Sequence, residues 1–223
     1  MLKSKWFDYC FVSLGLLIQA VVFAVTWYLP DFDVYQSTLS FVCGCLGVCS
    51  VWLTAQRNIW MYLFGFGQVG IYLWLCVQQR FYGGIAINSY YLLTMVYGVF
   101  VWRRHLDETD HTLTIRCLPV MKTVLISIAT IVGSWLTGWG LSYWTDDTQP
   151  YLDAFTTIPA LVGQVLMILG LREHWLMWLA VDVLGIVLWV RAGDGCMTAQ
   201  YAFWTANCVY GLYLWRSSGV SKE

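Results

Sequence analysis

Long apolar runs separated by short polar turns fill the chain from end to end. They predict eight membrane-spanning helices, at about 10–29, 35–56, 58–78, 83–103, 119–143, 150–171, 173–192 and 195–216. Each is near the roughly 20 residues that cross a 30 Å hydrocarbon core. Pro30, Pro119 and Pro150 stand at predicted boundaries, where a missing backbone donor does least harm. Pro159 falls inside the sixth run and predicts a kink there. Connections are short except for Arg103–Leu118, so no soluble domain is expected.

The seventh run, from Trp175 to Trp189, carries an acid, Asp182, among apolar residues. At about 100° per residue, Trp175, Trp178, Asp182 and Trp189 share an arc of roughly 60°. Counted from Glu173, Asp182 lies about 13 Å into the bilayer, near the midplane. An ionisable group is costly there and marks a substrate or ion site facing protein or water.

Composition agrees with the pattern. The chain is 59% hydrophobic and 11% charged, with a mean hydropathy of +0.63. That is the composition of a polytopic membrane protein. A net charge of −1 points to no polyanionic partner, nucleic acid included. Cys43, Cys45, Cys49, Cys76 and Cys208 lie in apolar runs and read as packing residues rather than a disulfide framework. Lys3 and Lys5 precede an apolar run that continues through Trp27 without a small-residue cleavage site, which favours a retained helix over a signal peptide.

Charge also orients the chain. With a cytoplasmic amino terminus, the inner face holds Lys3, Lys5, Arg57, Arg103, Arg104, Arg116, Lys122, Arg172, Arg216 and Lys222. The outer face holds Arg80 and Arg191, with Asp31, Asp33, Asp146, Asp147 and Asp194. This positive-inside bias supports an even number of spans and cytoplasmic termini.

An internal repeat organises these spans. Arg57, Trp60, Gly70, Ile71, Leu73 and Trp74 recur as Arg172, Trp175, Gly185, Ile186, Leu188 and Trp189 at an offset of 115. Tyr97-Gly98-x-x-x-Trp102-Arg103 recurs as Tyr210-Gly211-x-x-x-Trp215-Arg216 at an offset of 113. The expected domains are a peripheral N-terminal helix (1–34), a three-helix bundle (35–104), a cytoplasmic loop with a linker helix (105–147), and a second three-helix bundle with the C-terminal tail (148–223). Three helices per repeat need one linker helix to give the two copies the same orientation, which predicts parallel repeats and a midplane site.

The 3+1+3 order, the Trp175-x-x-Trp178-x-x-x-Asp182 motif and the Tyr-Gly-x-x-x-Trp endings resemble the PnuC family of nicotinamide riboside transporters. That family's core is related in architecture to the SWEET sugar transporters. The resemblance spans roughly residues 35–216. It implies facilitated diffusion of the riboside, a vitamin B3 form and NAD precursor, through a bacterial inner membrane, followed by cytosolic phosphorylation that traps it. In the family the position matching Asp182 is typically Asn, from which this chain departs.

The expected substrate-binding residues follow from depth and helical spacing. Asp182 can accept from ribose hydroxyls and offset a pyridinium charge, or serve as a structural acid bonded to a neighbouring helix. Trp178 and Trp175 offer faces for a flat cation, with an interfacial anchor as the other role for Trp175. Phe64, Gln68 and Tyr72 share one face, and the Gln68 amide can read a carboxamide or tie helices together. Asn207 with Trp204, and Asn88 with Tyr91, place an amide one turn from an aromatic ring. Gln164, five residues after Pro159, completes the set. The small residues Gly44, Gly47, Gly65, Gly98 and Gly211 read as close-packing positions.

Other chemistries lack their residues. His105, His111 and His174 have no metal-ligand spacing, no Gly-rich phosphate loop occurs, and no span holds a lysine that could form a Schiff base. An enzyme is therefore not expected, nor is a cofactor. The expected partners are a small-molecule substrate and the lipid bilayer, and a homo-oligomer is compatible with the sequence. The rival readings are another vitamin such as thiamine, a sugar, or a receptor that binds without transporting.

Overall fold

The structure, a computed structural model, describes residues 5–28, 33–78, 82–107, 112–146, 149–192 and 195–217. Lys3, Pro30, Asp31, Arg80, His111, Asp147, Asp194 and Lys222 lie outside the described residues, as do the side chains of Lys5 and Trp189. Among the described residues the fold is all-α apart from isolated bridges. Its eight helices are α1 (Lys5–Thr26), α2 (Val34–Ala55), α3 (Met61–Gln78), α4 (Tyr82–Arg104), α5 (Val120–Trp144), α6 (Pro150–Ile168), α7 (His174–Ala192) and α8 (Gly195–Ser217).

Six of these, α1 to α6, contain segments long and apolar enough to cross a membrane. In α7 the apolar segment is shorter, His174–Leu188. α8 is more polar, with Thr198, Gln200, Thr205 and Asn207 along its length. α1 starts at Lys5, earlier than the apolar run suggests, with Asp8 in its first turn. An acid near a helix N-terminus is favourable, so a charged first turn need not delay the helix.

The chain divides into two compact units, Met1–Phe100 and Val101–Glu223. In the first, α1 packs on α2 and α2 on α3. Small residues set these approaches: Gly44 faces the Gln19 side chain, Gly47 faces Gln68, and Gly98 of α4 faces the Tyr62 hydroxyl. The Ser50 hydroxyl donates to the Met61 carbonyl at 3.0 Å, tying α2 to the start of α3.

In the second unit α5 packs on α6, α6 on α7 and α7 on α8. Tyr151 fits against Gly138, Trp178 against Gly163, Tyr201 against Gly185 and Trp175 against Gly211. A ring on one helix thus sits over a glycine on its neighbour at each contact, the packing expected where no hydrophobic force separates helix from lipid. The described parts of the long connection before α5 are held against the helices. Leu106 pairs with Leu113, and Arg116 bridges Leu171 through bonds of 3.0 Å to Gly170 and Arg172. Leu113 and Ile115 are buried, and the Trp102 indole donates to the Met167 carbonyl at 3.2 Å.

The two units share their internal geometry, in a register that corrects the sequence alignment. α2 ends with Asn58 N–H bonding Leu53 O and Arg57 N–H bonding Thr54 O, both at 3.0 Å. α6 ends with Leu171 N–H on Leu166 O at 2.9 Å and Gly170 N–H on Met167 O at 3.0 Å. These are matching Schellman turns, with Arg57 (φ 61°) and Gly170 (φ 68°) in the left-handed position. Arg57 therefore corresponds to Gly170, not Arg172, an offset of 113. The same offset relates Tyr62 on Gly98 to Trp175 on Gly211, and Ser50 beside Gly65 to Gly163 beside Trp178. Under the 115 alignment Trp60 would match Trp175, yet Trp60 is 61% exposed and Trp175 3%.

Candidate substrate site

The α7 seam holds the candidate residues of the second unit. Asp182 is buried, and its Oδ2 accepts a hydrogen bond from the Cys208 thiol of α8 at 3.1 Å. Among the described residues no lysine, arginine or histidine pairs with this carboxylate. One turn back toward the amino end, Trp178 lies against Gly163 of α6, whose next residue is the buried Gln164. Asn207, adjacent to Cys208, is 1% exposed. Trp204 is half-buried one turn before Cys208, with its ring 5.0 Å from that of Tyr201. Helices α6, α7 and α8 thus place Gln164, Trp178, Asp182, Asn207 and Trp204 within one bundle. Asp182 is buried among these helices, and Trp178 packs half-buried against α6.

Trp175 has a different place. Its indole fills the space over Gly211 and makes an edge contact with Trp215 at 5.9 Å and a tilted one with His174 at 4.4 Å. Neither a ligand face nor an interfacial ring is left exposed in this packing. His174 beside it bonds the Leu171 carbonyl through Nδ1 at 2.7 Å and is fully buried.

The first unit carries its candidates on α3 and α4. The Gln68 side chain is half-buried and faces Gly47, while the Gln68 backbone carbonyl accepts from the Cys43 thiol at 3.4 Å. Phe64 is half-buried, but Tyr72 on the same face is 46% exposed. Asn88 is buried and its Nδ2 bonds back to the Gly84 carbonyl at 2.7 Å. Tyr91 contacts Tyr90 at 5.8 Å. In the corrected register Asp182 corresponds to the buried Val69, and Gln68 to Val181. The acid has no polar counterpart in the first repeat. A cleft of about 210 Å³ lined by Asp8, Tyr9, Trp52, Leu53, Gln56 and Asn58 includes none of these candidates.

Cys208 is the residue that the sequence did not single out for the site. A cysteine in an apolar run reads as a small packing residue; its signal was the antiparallel pairing of α7 with α8, which brings it to the acid's level.

Comparison with known proteins follows the same lines. The family profile described as "Nicotinamide mononucleotide transporter" matches residues 37–217. The nicotinamide riboside transporter PnuC of Neisseria mucosa is 32% identical over 94% of this chain and 80% of its own length. PnuC of Haemophilus influenzae is 29% identical over 95% of this chain and 91% of its own length. A crystal structure of the vitamin B3 transporter PnuC superposes with a TM-score of 0.75 at 31% identity, covering 94% of this chain and 90% of that one. These relatives are membrane transporters and not enzymes, and the chain belongs with them in the PnuC family of nicotinamide riboside transporters.

Proposed function

We propose that this chain carries nicotinamide riboside by uniport through a bacterial inner membrane, with eight crossings, both termini cytoplasmic, and alternating access around a midplane site. The observation that carries this reading is the buried Asp182 carboxylate with no cationic partner among the described residues, one turn from Trp178. Nicotinamide riboside is a pyridinium with a fixed positive charge. A buried acid supplies the counter-charge, and an indole face contributes about 0.5–2 kcal/mol of cation–π attraction. The amides of Asn207 and Gln164 are suited to ribose hydroxyls and the carboxamide, since each both donates and accepts. Gln68 and Asn88, with Phe64, Tyr72, Tyr91 and Trp204, remain candidates for the same substrate.

The charge pattern also favours the riboside over its 5′-phosphate. A phosphate would bring further negative charge toward Asp182, whereas the basic residues of α6 to α8 are Arg191 and Arg216, both in last turns. Counterflow in proteoliposomes tests uniport: unlabelled riboside inside should drive labelled riboside inward with no ion gradient imposed. A strict requirement for a proton or sodium gradient would contradict the reading, and binding without accumulation would identify a receptor.

A further inference from the structure

We infer that Cys208 is a positioning residue for substrate recognition: its thiol holds one oxygen of Asp182 so that the other faces the ligand. The inference rests on the transport reading above and goes beyond it by assigning a role to a second side chain. Three observations carry it. The thiol donates to Oδ2 at 3.1 Å, and both residues are buried, at 5% and 4% exposure. Among the described residues this is the carboxylate's one hydrogen bond, so no other polar contact there orients it. In the register shared by the two units, Asp182 and Cys208 correspond to Val69 and Met95, both buried and apolar. The acid and its donor thus occur together in one repeat and are replaced together by hydrophobes in the other.

The role calls for a neutral donor rather than a cation. A thiol is a weak donor, so it orients the carboxylate while drawing little of its negative charge. That leaves the charge available to a cationic heterocycle. A lysine or arginine in the same place would orient the acid equally well but neutralise it.

Two measurements test the assignment. In proteoliposomes, Cys208→Ala should raise the apparent KM for nicotinamide riboside about fivefold or more while Vmax stays within about twofold, the pattern for lost ground-state binding. Cys208→Ser, which keeps a donor, should stay within about twofold of wild type in KM. An unchanged KM in Cys208→Ala, or a Cys208→Ser variant as impaired as Cys208→Ala, overturns the assignment. The second measurement needs no transported substrate and no Cys208→Ala variant. The infrared S–H stretch of Cys208, isolated as wild type minus Cys208→Ser, should lie at a hydrogen-bonded frequency and rise in Asp182→Ala. An S–H band that ignores Asp182→Ala overturns the assignment. A wild-type protein that shows the band shift yet moves no riboside instead defeats the transport reading alone.

Discussion

The indole of Trp175 lies against Gly211, in the space a side chain at that position would need. This contact closes one end of the α7–α8 seam, with Tyr201 over Gly185 further along it and the Asp182–Cys208 bond between them. The acid is thus held in a seam whose spacing is set by ring-on-glycine contacts. Overpacking at Gly211 should cost about 1–3 kcal/mol, against about 1 kcal/mol that alanine recovers in helix propensity. Gly211→Ala is therefore expected to lower the melting temperature. Gly70→Ala, which meets nothing within 4 Å, should raise it slightly. Equal shifts in the two variants would show that the seam yields.

Arg57 sits at φ 61° in a turn where the second unit uses Gly170. A left-handed conformation costs a non-glycine residue about 1–2 kcal/mol. Arg57→Gly should therefore stabilise the protein by roughly that amount and Gly170→Ala should destabilise it, as read by thermal unfolding in detergent. A loss of stability in Arg57→Gly would mean that the arginine side chain contributes more than its backbone costs.

Asp182 and an amide at its position have the same shape but differ in charge. Removing a buried charge-assisted contact costs about 1.5–3 kcal/mol, which is roughly a 10- to 100-fold loss of affinity. Asp182→Ala is expected to raise the KM for nicotinamide riboside in that range. Asp182→Asn, which retains hydrogen bonding, should fall between the two. Uptake kinetics at several riboside concentrations would separate these outcomes, and a wild-type KM in Asp182→Ala would remove the residue from the site.

Much of the architecture was legible in the sequence because bilayer thickness fixes helix length. The expected spans at 35–56 and 83–103 are observed as Val34–Ala55 and Tyr82–Arg104. The repeat was visible too, and its closing Tyr-Gly-x-x-x-Trp block already stood at the offset of 113, but its first block was aligned at 115. Matching tryptophans and glycines aligned Arg57 with Arg172, because recurring residue types in an apolar helix coincide by chance at several offsets. The turns resolved it through backbone bonds that residue identity does not report: a left-handed Arg57 carries no sequence signal, whereas glycine does. Trp175 shows the same limit. Its helical face was readable, but whether an indole at that depth meets substrate, headgroups or a neighbouring glycine depends on what α8 presents, and only packing reveals Gly211. Cys208 was hidden for the converse reason, since a thiol inside an apolar run signals nothing until its partner is known.

Recognition of the substrate's positive charge by the Asp182 face of α7 is what the proposed function requires above all. It is tested most directly by calorimetric binding of nicotinamide riboside and of its uncharged 1,4-dihydro form to the wild type and to Asp182→Ala. The wild type should bind the cation at least about tenfold more tightly, a difference of some 1.4 kcal/mol, and Asp182→Ala should abolish this preference. Equal affinity of the wild type for the two forms, or a preference that survives in Asp182→Ala, would contradict it.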